Sequence, residues 1–234
     1  MKTILILVVS FDEPPYDKMI TTSQNTWDSI DVEGCNTIFY CGATDNKHKV
    51  NVVYLPVSEG LFNMGRKLLL AFQYVLSNYK FDYMARVNSS TYVDKKELIK
   101  YVQTLPETIF AGLEVKRPES FDYIWGFSYI ISRDIVQRVV GHQERWEHQF
   151  IEDESLSKVV ASLGFAFSPG KAVSIDQRGL STWAAIIYGG GESFEFTDFA
   201  DIKKIDNQFF YRVKQDYNRA MDAYIMKQLY ENLK

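Results

Sequence analysis

Short runs of aliphatic residues alternate with helix-patterned segments through the first half of this chain, and few folds satisfy that alternation. The opening run, Ile4-Leu5-Ile6-Leu7-Val8-Val9, has six strand-favouring side chains and no polar break, the pattern of a strand buried on both faces. A helix is expected from Tyr16, after Pro14-Pro15, ending near Trp27. Residues 37–41 and 50–55 read as the second and third strands. Over 60–79, Leu61, Met64, Leu68, Phe72, Val75 and Leu76 recur at helical spacing with Arg66 and Lys67 on the other side, which makes that helix amphipathic. Residues 81–87 form a fourth strand, interrupted by the polar Asn88-Ser89-Ser90, and Asp94 is placed to cap a helix running to residue 105. Strand, helix and strand in repetition imply a mostly parallel central sheet, an α/β fold flanked by helices on both faces. Ligands of such sheets bind beyond the carboxyl ends of the strands. Ser10-Phe11 and Asn88-Ser89-Ser90 stand at two of those ends.

Further along, 108–115 and 124–132 read as strands, 133–140 as a short helix, and 151–163 as a helix opened by acidic residues and closed by Gly164. A last helix is expected over 216–233, with Met221, Tyr224, Ile225 and Leu229 on one face. The chain has 234 residues, 46% of them hydrophobic and 24% charged, enough for one substantial packed domain and too apolar for disorder. A net charge of -4 with scattered basic residues gives no electrostatic footprint for nucleic acid. Cys35 and Cys41 form no CxxC pair, and His48, His142 and His148 lack metal-ligand spacing, so the cysteines read as reduced core residues.

The first apolar run could pass for a signal peptide, but Phe11-Asp12-Glu13-Pro14-Pro15 follows it without a small-residue cleavage site. With no apolar stretch of about 18 residues either, a cytoplasmic protein without a membrane span is expected. GxGxxG, GxxxxGK[ST] and GxSxG are all absent, which removes the usual dinucleotide, P-loop and hydrolase signatures. Gly189-Gly190-Gly191 lacks a strand before it and a helix after it, and reads as a mobile loop or bend.

Four segments in order resemble the fringe and beta-3-galactosyltransferase group of GT-A glycosyltransferases. Ser10 after a strand, then Lys18 and Thr26-Trp27, is similar to that group's opening. Leu61-Phe62-Asn63-Met64-Gly65-Arg66-Lys67-Leu68 resembles its second helix start. Phe81-Asp82-Tyr83-Met84-Ala85-Arg86-Val87-Asn88-Ser89-Ser90-Thr91-Tyr92-Val93 has the frame of its Lys-Thr-Asp-Asp-Asp-x-Phe-Val strand and turn. Trp125-Gly126-Phe127-Ser128-Tyr129-Ile130-Ile131-Ser132-Arg133-Asp134, followed by Ile151-Glu152-Asp153-Glu154, resembles its Gly-x-x-Tyr-x-x-Ser-Arg-Asp strand and Glu-Asp helix start. These matches cover roughly residues 1–165. A looser fifth match, Phe210-Tyr211-Arg212-Val213-Lys214, puts Phe210 where many GT-A enzymes place a metal-binding His.

The resemblance implies a Rossmann-like GT-A domain over 1–234, with a nucleotide-binding half at 1–105 and an acceptor-binding half with the C-terminal helix at 106–234. It implies a hexosyltransferase-like enzyme of glycan biosynthesis, moving a sugar from a nucleotide-diphosphate donor, UDP-linked, to a glycan or glycolipid hydroxyl. The family's Asp-x-Asp motif binds Mn or Mg, hard cations that require oxygen ligands. Here Asn88, Ser89 and Ser90 occupy those positions and the His is missing too, so the expectation is metal-independent transfer. Arg212 and Lys214, with Arg86 and Lys67, would then neutralise the donor phosphates. Ser10 and Phe11 would meet the base and ribose, and Trp125, Gly126 and Glu152 would face the acceptor. Asp153 would be the general base of an inverting reaction, with Glu152 and Glu154 as the alternates.

Plainer readings stand beside these. Acidic residues stabilise a helix's first turn without catalysis, the 88–90 segment suits a polar turn, Arg212 and Lys214 suit solvated cations, and Trp125 suits a core. A catalytically degenerate GT-A domain that only binds nucleotide or glycan is the main rival, and a retaining transferase shares the fold.

Overall fold

The computed structural model describes residues 1–43, 49, 51–117, 121–177, 192–198, 201–215 and 218–233. Its large sheet has seven strands: β1 (Ile4–Val9), β2 (Cys35–Ala43), β3 (Val52–Pro56), β4 (Tyr83–Asn88), β6 (Phe110–Val115), β7 (Tyr123–Ser132) and β8 (Ser168–Pro169). They lie in the order β3-β2-β1-β4-β7-β6-β8. Within it β7 alone runs antiparallel to its neighbours, so the sheet is mostly parallel, as the alternation implies.

Helices cover both faces because successive strand residues point to opposite sides. Ile4, Ile6 and Val8 join one apolar cluster with Met19 and Ile20 of α1 (Tyr16–Asn25), Leu98 and Val102 of α3 (Lys95–Thr104), and Ile225 and Leu229 of α6 (Ala220–Leu233). Leu5, Leu7 and Val9 join the other, with Leu68, Phe72 and Val75 of α2 (Met64–Asn78), Val136 of α4 (Arg133–Gly141), and Leu156 and Val160 of α5 (Glu152–Ser162). Each fully buried Leu, Phe or Val of this kind contributes about 1.5–3 kcal/mol. Asp94 does cap α3: its carboxylate accepts the Glu97 N–H at 3.1 Å.

A second sheet, β10-β9-β11-β5, is built from β5 (Thr91–Val93), β9 (Val173–Gln177), β10 (Glu192–Phe196) and β11 (Phe210–Arg212). Sequence periodicity does not reveal it. β5 starts directly after the 88–90 turn, and β11 returns from late in the chain to pair antiparallel with it, Arg212 opposite Thr91. Cys35 and Cys41 are buried and free. The expectations for Gly189-Gly190-Gly191, His48 and residues 216–217 fall outside the described residues. No helix among the described residues is long and apolar enough to cross a membrane.

Candidate functional site

The carboxyl edge of the large sheet is held together by main-chain bonds. Just past β1, the Ser10 N–H donates to the Tyr40 carbonyl at 3.0 Å. After β4, the Ser89 N–H donates to the Val9 carbonyl at 3.1 Å, and the Ser90 carbonyl accepts the Val213 N–H at 2.9 Å. The turn at 88–90 is thus tied to β1 on one side and to the segment after β11 on the other. Because β7 is antiparallel to β4 with Val87 opposite Ser128, Gly126 and Trp125 lie beyond the end of β4, at this same edge.

α5 begins there as well. Asp153 accepts two N–H bonds, Oδ2 from Gly126 at 2.7 Å and Oδ1 from Glu154 at 2.9 Å. The Ile124 N–H also donates to Ser157 Oγ at 3.0 Å, fixing α5 on β7. Glycine is needed at 126, since a Cβ there would lie 2.9 Å from Asp153 Oδ2 and 3.0 Å from Asp153 Cβ. Burial, followed by the negative charge of Glu152, pushes the Asp153 carboxyl up to about 7, against the opposing pull of the Gly126 N–H, Arg86 and the Glu154 N–H.

Arg86 and Lys67, both expected to face the donor, are buried instead. Arg86 Nη1 donates to Asn88 Oδ1 at 2.7 Å and Nη2 is ion-paired with Glu152. Lys67 Nζ donates to Glu59 Oε2 at 2.6 Å and to the Ser10 carbonyl at 3.0 Å, and sits 4.0 Å from the centre of the Phe11 ring. Burial draws the Lys67 ammonium down, opposed by the bond to Glu59. Glu59 is a residue that sequence reasoning missed. It holds Lys67 and accepts the Gly42 N–H at 2.6 Å, yet it precedes the helix and belongs to no periodic pattern. Arg86 did carry a readable signal, because a cation within an otherwise apolar strand requires a partner.

Three groups of the expected site residues emerge. Arg86, Asn88, Glu152, Asp153 and Gly126 are bonded into one cluster, and Ser10, Phe11 and Lys67 into a second. Arg212 forms the third with Trp125, its guanidinium carbon 4.7 Å from that ring's centre and 5.7 Å from that of Phe127. Arg212 is buried and Trp125 partly so, and one face of the indole is covered by the guanidinium. Lys214, half-buried, follows β11 two residues after Arg212. A separate cavity of about 590 Å³ lies at the amino end of the strands, lined by residues that include Lys2, Asp82 and Arg133. Its charged groups serve the fold, Asp82 bonding Thr3 and Arg133 the carbonyls of Leu76 and Tyr79.

The turn does not suit a divalent ion. The side-chain oxygens of Asn88, Ser89 and Ser90 are neutral, Asn88 Oδ1 is already engaged by a guanidinium, and Phe210 is buried in the core. Among the described residues no group of three or more His, Cys, Asp or Glu side chains is placed to hold a metal. Hard cations bind where several carboxylate or carbonyl oxygens converge.

No protein-family model matches the sequence, and no curated protein matches it. Solved structures do. One is the crystal structure of a glycosyltransferase involved in the glycosylation of the major capsid of PBCV-1, with a TM-score of 0.55 at 11% identity, over 97% of this chain and 100% of that one. Another is the mannosyltransferase PcManGT from Pyrobaculum calidifontis, in complex with GDP-Man and Mn2+, with a TM-score of 0.49 at 12% identity. That match takes in 71% of this chain and 54% of PcManGT. The first likeness shows a shared fold: the α/β architecture here is that of a known glycosyltransferase.

Proposed function

We propose that the protein is a glycosyltransferase that moves a sugar from a nucleotide-diphosphate donor, UDP-linked, to a glycan or glycolipid hydroxyl, with inversion and without a divalent ion. The observation that carries this reading is the place of Asp153. Its carboxyl, pushed up to about 7, is held at the same strand edge as Ser10-Phe11 and the neutral turn at 88–90. A general base works best with a pKa near the working pH.

In this reading Asp153 takes the proton of the acceptor hydroxyl while its oxygen attacks the anomeric carbon. The bond to the diphosphate breaks on the opposite face. Phe11 meets the nucleoside, with the fully buried Ser10 behind it rather than in contact, and Trp125, Gly126 and Glu152 border the acceptor. The negative charge that develops on the leaving diphosphate is met by Arg212 and Lys214, together with main-chain N–H groups near the turn. Lys67 and Arg86 add positive potential from inside the protein rather than by contact.

A second reading, a domain that binds nucleotide or glycan without catalysis, is favoured by one observation: Asp153 is only 5% exposed and both its oxygens already accept N–H bonds. Incubation with a panel of nucleotide sugars and glycan acceptors, with mass spectrometry of the products, separates the two. Transfer is expected, and it should survive EDTA. Asp153→Asn should keep the donor-induced rise in melting temperature while transfer falls about 10²–10⁴-fold. Near-normal transfer by that variant would remove Asp153 from the mechanism. Donor-induced stabilisation of the wild type with no product from any donor would favour the binding domain, and loss of transfer in EDTA with rescue by Mn would end the metal-free reading.

A further inference from the structure

Arg86 sits in the middle of the site and has no surface of its own. It is fully buried, on the face of β4 that α2, α4 and α5 cover. Its two terminal nitrogens engage residues from different parts of the chain, Asn88 at the end of β4 and Glu152 at the start of α5. The guanidinium fork suits that bridge, because its donors diverge in one rigid plane and it does not lose its proton. A lysine would bring one point charge. We propose that Arg86 is a positioning residue, an internal brace that fixes the 88–90 turn against the first turn of α5 and balances the adjoining carboxylates at 152 and 153.

The need for a brace follows from charge. Glu152 and Asp153 are neighbours and only 8% and 5% exposed, and two buried like charges oppose each other's ionisation. The guanidinium paired with Glu152 offsets part of that repulsion, and its positive charge opposes the upward push on the Asp153 carboxyl. Other titratable groups near Asp153 are Glu154, itself paired with Arg117 at 2.7 Å, and Tyr129 of β7, with Tyr40 of β2 beside Arg86. Burial raises both tyrosines well above their usual range, so neither contributes charge near neutral pH. Arg86 is the cation among these that is bonded directly to the acidic pair. Its part in transfer rests on the glycosyltransferase reading, but the brace itself does not.

The test compares the wild type with Arg86→Lys, Glu152→Gln and the double variant Arg86→Met/Glu152→Gln. Removing a buried ion pair as a unit is tolerated better than removing one partner, so the double variant is the one that drops the cation. Titration of the Asp153 carboxyl by carbon NMR should give a lower midpoint in Glu152→Gln than in the wild type. In the double variant the midpoint should lie at least about one unit above that of Glu152→Gln, because the cation has gone. Equal midpoints in those two variants would overturn the charge-balancing role. In the transfer assay Arg86→Lys should lower kcat roughly 10–100-fold with little change in donor KM, the mark of lost alignment. A raised donor KM with kcat intact would make Arg86 a donor ligand and overturn the brace. The titration needs no turnover, so failure to find any transfer product would count against the transferase reading and leave the titration to decide the brace.

Discussion

Gly126 and Asp153 show how narrow the tolerances are at single positions. The Asp153 carboxylate occupies the space that a side chain at 126 would fill, so the smallest substitution there acts on the acid. Gly126→Ala should push Asp153 out of line and lower transfer roughly 10²-fold, as misplacements of about 1 Å do, with nucleotide binding measured by thermal shift retained. Asp153 also ties stability to pH. Its folded-state value of about 7 lies above the 3.8 of an ordinary aspartate, so the fold favours the protonated form. The stability this gives is complete below about pH 4 and is lost as pH rises through about 7. Asp153→Asn mimics the neutral form, and its melting temperature should gain on the wild type between pH 5 and 8, by about 2–4 °C for each kcal/mol. A constant difference across that range would show that Asp153 does not titrate there.

Among the elements, those of the first half were legible because each carries its own pattern. The aliphatic run of β1, the apolar stripe of α2 and the Asp94 cap need no distant partner to be recognised. Asp94→Ala should cost about 0.5–2 kcal/mol, seen as a lower urea midpoint with the slope unchanged. The loss belongs at the upper end, since Asp94 also pairs with Lys204 at 3.2 Å. The second sheet was not legible. β5 and β11 are three residues each, too short for a period, and they become strands only through their pairing with each other and, for β11, with β9. Likewise, the acidic start of α5 pointed to Asp153, whereas the inward turn of Lys67 and Arg86 depends on Glu59 and Glu152, one outside any helix pattern and the other 66 positions away.

On the scale of the whole molecule, the large sheet brings β1, β4 and β7 to a common edge, and the small sheet brings the end of the chain to the same place. In the proposed reaction the charge of the diphosphate is met by side chains and main-chain N–H groups, and such attraction is screened by salt. Donor affinity, read by thermal shift, should therefore weaken steadily between about 50 and 500 mM NaCl and be indifferent to EDTA. Affinity that ignores salt would point to recognition of the base and sugar alone. At residues 89 and 90 the turn is anchored by carbonyls and amides of Val9, Ser89, Ser90 and Val213, bonds that do not depend on which side chains stand there, while Asn88 is held through its own side chain. Such a corner works like a socket, able to accept a different fitting while its own outline stays put. Aspartates written into it at 88 and 90 would convert a neutral rim into an acidic one without redrawing the backbone beneath.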